Sequence, residues 1–108
     1  MTIPATDLSS VVRRIGILFE RAYAPEAERP TWPEVEELLT EGYARALQLE
    51  GERSDIERRM GELVHDRSER NLTIELRALS ARHAEVDRNV RWLRSLLAEL
   101  HDFGSDVR

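Results

Sequence analysis

The side chains best suited to chemistry in this 108-residue sequence are three histidines, His65, His83 and His101, each with a carboxylate close by along the chain. Glu62 precedes His65 by three residues, the Glu-x-x-His spacing that places two metal ligands on one helical face in di-iron bundles. Such a centre needs a second copy of the motif and further inward glutamates. The sequence offers one copy, beside the apolar Leu63, with no inward glutamates on the facing segment. A metal-binding or small-molecule-binding bundle therefore stands as the alternative reading, requiring a symmetric assembly to supply the missing ligands. His101 and Asp102 fall at a helix end, where a cationic imidazole complements the helix dipole. No serine and histidine pairing suggests nucleophilic catalysis, no glycine-rich loop suggests phosphate binding, and there is no cysteine to form a disulfide or thiolate metal site. Neither catalysis nor a cofactor is expected.

The third histidine, His83, sits in an apolar series, and that series shows what must position everything else. Leu39, Gly42, Ala46, Leu49, Arg53, Ile56, Met60 and Leu63 follow alternating three- and four-residue spacing, and so do Leu72, Leu76, Leu79, His83, Val86, Val90, Leu93, Leu97 and Leu100. If the chain reverses between Ser68 and Asn71, Leu63 meets Leu76, Met60 meets Leu79, Ile56 meets His83 and so on to Leu39 against Leu100, the two residue numbers keeping a constant sum. Each layer then sets an a-type position against a d-type one, as antiparallel packing requires. A single rod from Pro33 to His101 would instead carry Arg67, Arg70, Ile74 and Arg77 into the seam. The fold expected is all-α: a long antiparallel coiled-coil hairpin of helices over about 32–67 and 72–103, joined by a turn at 68–71, with Gly104 as a natural helix stop before a polar tail at 104–108.

Two polar residues interrupt the seam. Arg53 lies opposite Val86, and a charge there is costly unless paired, so its head is expected to reach Glu50, Glu57 or Asp87. Together with His83 it is expected to set register, as a polar a-position residue does in coiled coils. The alternative makes His83 a pH switch, because imidazole titrates near physiological pH.

Ahead of the hairpin, Leu8, Val11, Val12, Ile15, Leu18, Phe19 and Ala22 recur at helical spacing, predicting a first helix over about 8–23. A connector over 24–30 holds two prolines. Thr31 and Glu34 form a capping-box pattern with Pro33 in the first turn of the second helix. Leu38, Tyr43 and Leu47 on one arm, and Trp92, Leu96 and Phe103 on the other, widen the apolar stripe beyond what a two-helix seam uses. They are the candidate interface. The first helix is expected to lie across this open end as a three-helix base, leaving a thin two-helix arm whose tip carries Arg67, Glu69 and Arg70. Gly51 and Gly61 fall on the outward face of the second helix.

Composition agrees with long amphipathic helices in one small helical domain: 41% hydrophobic, 34% charged and only 6% aromatic residues. All 16 basic residues are arginine, scattered over every face, which reads as the codon bias of a GC-rich, bacterial genome. A net charge of -5 without a concentrated basic face argues against nucleic-acid binding. No apolar run reaches the roughly 20 residues of a membrane span, and Met1 to Ser10 lack a secretory pattern, so a cytoplasmic protein without membrane contact is expected. Coiled-coil hairpins recur in chaperones, transcription factors and secretion adaptors, a likeness of architecture alone. The function expected is a non-enzymatic interaction or assembly module with a protein partner, completing a larger bundle as a homodimer.

Overall fold

A computed structural model describes residues 8–65 and 72–108. Three α-helices occur among them: α1 over Leu8–Arg21, α2 over Trp32–His65 and α3 over Leu72–Val107, with a 3-10 turn at Glu26–Glu28 in the connector. The two long helices pack against each other, and α1 packs at their end. The expected turn at 68–71 and the arm-tip residues Arg67, Glu69 and Arg70 lie outside the described residues.

Helix α1 buries Val11, Ile15 and Leu18 along a single stripe. It ends at Arg21, before the expected residue 23, because Ala22, Tyr23 and Ala24 donate to the carbonyls of Phe19, Glu20 and Arg21 at 3.1–3.2 Å, tightening the last turn ahead of Pro25. Helix α2 opens with the Val35 amide donating to the Thr31 carbonyl at 3.1 Å.

Helix α3 does not stop at Phe103. Gly104 lies inside it, buried and without positive φ, and the Arg108 amide donates to the Gly104 carbonyl at 3.0 Å. A Cβ added at Gly104 would come within 2.8 Å of Trp32 Cζ3 and 2.9 Å of Val35 Cγ1. Close approach of α3 to the start of α2, rather than helix termination, accounts for this glycine.

The chain divides into two compact units, Met1–Ala46 with Trp92–Arg108, and Leu47–Arg91. The first, called the base below, has its core in Val11, Ile15, Leu18, Val35, Leu38, Leu39, Ala46, Leu93, Leu97 and Leu100, all buried. Burying each of the α1 side chains contributes about 1.5–3 kcal/mol, enough to hold a 14-residue helix that would be marginal alone. Gly42 faces Leu97, so closely that a Cβ there would run into Leu97 Cδ2. This is the pairing the two seams require. Among its described residues the second unit, the arm, has Leu49, Ile56, Leu63, Val86 and Val90 as buried hydrophobic side chains, while Met60, Leu76 and Leu79 are half-buried.

Candidate interaction surface

Of the six apolar residues read as one exposed flank, Leu47 belongs to the arm, and the other five, in the base, separate into two groups. Leu38 is 3% exposed and shares a groove with Ile17 and Leu18 of α1. Phe103 is half-buried and meets Phe19 of α1 edge-on, with ring centroids 5.8 Å apart and planes at 89°. That geometry suits the aromatic quadrupole. Tyr43 is turned elsewhere, with the Arg94 guanidinium 5.8 Å from its ring centroid. At 3.6 residues per turn, Leu38 and Tyr43 stand about 140° apart on α2, straddling the seam residues Leu39 and Gly42. Helix α1 takes the Leu38 side, and that choice uses up Leu38 and Phe103 as core. Leu96, one heptad before Phe103, is half-buried. Trp92 remains 51% exposed and Tyr43 36%.

Two acid and base pairs fasten α1 to α2. Arg14 pairs with Glu41, and Arg21 meets both oxygens of Glu34, at 2.7 and 3.3 Å. Glu34 therefore serves α1 instead of reaching back to its own cap. Apart from Glu34, which was read as a capping residue, these residues were not singled out from the sequence, although a signal exists: the two arginines are a heptad apart, and so are the two glutamates. Arg21 also donates to the Glu28 carbonyl at 3.0 Å and so ties down the connector.

Within the arm, the polar interruptions are satisfied. Arg53 donates to Asp87 Oδ1 at 2.9 Å and stands 4.0 Å from Glu57, while Arg91 holds the other Asp87 oxygen at 3.0 Å. His83 Nε2 lies 3.0 Å from Glu57 Oε1. The hydrogen bond from Arg53 holds the Asp87 carboxyl below the usual carboxylate range, opposed by partial burial and aided by the charges of Arg91, Arg53 and His83. On the other side of the seam, Arg59 bridges to Glu75 at 2.9 Å and to Glu62 at 3.3 Å, and Arg82 stands 3.6 Å from Glu52. Hydrogen bonds to Glu75 and Glu62 raise the Arg59 guanidinium above its ordinary value. Exposed pairs of this kind contribute little stability each. Their value is register, since a slip of either helix would break several together.

The Glu62-x-x-His65 motif gathers no further ligands: Glu62 is engaged by Arg59, and among the described residues no three His, Cys, Asp or Glu side chains are grouped to hold a metal. His101 and Asp102 are exposed, 3.8 Å apart. Nothing lies within 4 Å of a Cβ built at Gly51 or Gly61. Large apolar side chains nevertheless reach solvent on the arm: Leu47 is 65% exposed, Val64 64% and Ile74 70%. Neither Val64 nor Ile74 was read from the sequence as an exposed apolar site, Ile74 being named only as a seam residue of the rejected single rod, because neither fits a hairpin seam position or widens the stripe near the open end.

Comparison with protein-family models, curated proteins and solved structures returns no match. The geometry alone must carry the functional reading. Among the described residues, no helix is long and apolar enough to cross a membrane.

Proposed function

We propose that this chain is a non-enzymatic interaction or assembly module whose two-helix arm engages a protein partner, a second copy of itself being the first candidate. The observation that carries this reading is the contrast within the arm. Seven of its charged or polar side chains, Arg53, Glu57, Arg59, Glu75, His83, Asp87 and Arg91, are paired with one another, while Leu47, Val64 and Ile74 stand more than half exposed. Many of its acid-base groups are thus occupied in fixing helix register, and its exposed surface carries three large apolar side chains among polar ones. Scattered apolar side chains are ordinary on proteins, but on a two-helix unit with five buried core residues they are a large share of the apolar total. In this reading the base is the part that needs no partner, and the protein acts in the cytoplasm.

The test is molar mass by light scattering over a tenfold concentration range, for the wild-type chain and for a Val64→Asp, Ile74→Asp variant, followed by affinity capture from the native host with both. Loss of self-association or of one defined partner in the variant, with helicity retained, supports the arm reading. Association that survives in the variant refutes it. A parallel Arg67→Glu, Arg70→Glu variant separates a contact made by the tip from one made along the arm.

A further inference from the structure

The base contains an open cavity of about 670 Å³ where the connector and the start of α2 face the last turns of α3, lined in part by Glu26, Arg29, Trp32, Phe103, Asp106 and Val107. Its size lies within the roughly 300–1,000 Å³ range of small-ligand sites. The surface it offers is mixed: an indole and a phenyl ring for planar apolar contact, with Glu26 and Asp106 as exposed carboxylates contributed by two different segments.

A second observation says what this surface attracts. The guanidinium of Arg108 lies over the Trp32 ring, its Cζ 4.5 Å from the centroid, well inside the roughly 6 Å reach of cation–π attraction. The chain's own side chain thus shows the indole face working as a seat for a planar cation. Arg29 adds a charge of the opposite kind to the two acids. Its Nε donates to the Ala24 carbonyl at 3.2 Å, which anchors it at the cavity wall.

We propose that this cavity binds a small guanidinium-bearing zwitterion, free arginine being the simplest. Trp32 supplies the stacking face, Glu26 and Asp106 supply counter-charge for the guanidinium, Arg29 meets the carboxylate, and Arg108 is the internal competitor that must leave the indole. The site lies wholly within the base and is independent of the arm, so its failure would leave the proposed partner surface untouched.

The test follows Trp32 emission in a Trp92→Phe background, which leaves a single indole because the sequence holds two tryptophans. The protein is titrated with arginine, with agmatine, which lacks the carboxylate, and with citrulline, whose side chain is neutral. Arginine is expected to saturate the signal, with agmatine and citrulline each weaker. Arg108→Ala should tighten arginine binding about two- to fivefold, the equivalent of one exposed cation–π contact, and Glu26→Gln with Asp106→Asn should weaken it by a similar factor. Unchanged circular dichroism confirms that these exposed substitutions leave the helices intact. Equal response to arginine and citrulline, no saturation with either the parent or the Arg108→Ala protein, or no effect of Arg108→Ala on affinity would each overturn the proposal.

Discussion

The five glycines provide an internally controlled test of the helix register, because all of them lie within helices and differ in what a methyl group would meet. Glycine in a helix interior costs about 1 kcal/mol relative to alanine. Gly51 and Gly61 are exposed with open space around them, so Gly51→Ala and Gly61→Ala should each stabilise by about that amount. Gly42→Ala has the same propensity gain, but its new methyl runs into Leu97, which is 0% exposed and belongs to the packed core. Overpacking of this kind costs about 1–3 kcal/mol, leaving a net effect between about zero and 2 kcal/mol destabilising. Gly104→Ala should fall toward the costly end of that range, since its methyl meets a rigid indole carbon at 2.8 Å and a buried valine at 2.9 Å. The outward and inward substitutions should therefore differ by about 1–3 kcal/mol, or roughly 4–8 °C in melting temperature per kcal/mol for a domain near 100 residues. Urea and thermal unfolding followed at 222 nm would measure it. If Gly42→Ala stabilised as much as Gly51→Ala, the pairing of Gly42 with Leu97 would be wrong, and with it the register of the base.

Two further outcomes are expected. Because Asp87 is held below the ordinary carboxylate value, its pair with Arg53 contributes fully above a pH of about 4 and is lost as pH falls through the lower folded-state value. Asp87→Asn should thus destabilise the arm at neutral pH, with the difference from wild type shrinking as pH falls below the ordinary carboxylate value, and a gap that stays constant in urea titrations through that fall would contradict the assignment. A double-mutant cycle with Phe19→Leu and Phe103→Leu should return a coupling of about 0.5–1.5 kcal/mol for the edge-on rings, and zero coupling would place α1 elsewhere.

The seam was readable from the sequence because heptad spacing depends only on helical period, and a constant residue-number sum is what antiparallel pairing produces. Gly42 against Leu97 follows from it, and so does the reach of Arg53 to Asp87, the residue next to its layer partner Val86. The flank was harder. A residue's level along the hairpin can be read from its number, but which side of the seam it occupies matters only once a third helix chooses a side. Leu38 and Tyr43 were grouped in one flank and proved to lie on opposite sides, one under α1 and the other beside Arg94. Gly104 misled for a related reason. Glycine after an apolar stretch commonly ends a helix, yet it also appears where two helices must touch, and only the positions of Trp32 and Val35 distinguish the two uses. The charge clasps of α1 were present as heptad-spaced arginines and glutamates, hidden by the abundance of both residue types.

The thinness of the arm has a consequence for how it opens. Its buried residues lie in two places, around Leu49, Val90, Val86 and Ile56 and again at Leu63, while Met60 and Leu79 between them are only half-buried. Local unfolding free energy follows the apolar contacts a segment would lose, so the two helices of the arm should loosen first at the layer of Met60 and Leu79 rather than all at once. An element with one weak layer can repack there around a bound surface while the better-buried layers on either side stay closed, giving an interaction module room to adapt without unfolding the unit that carries it.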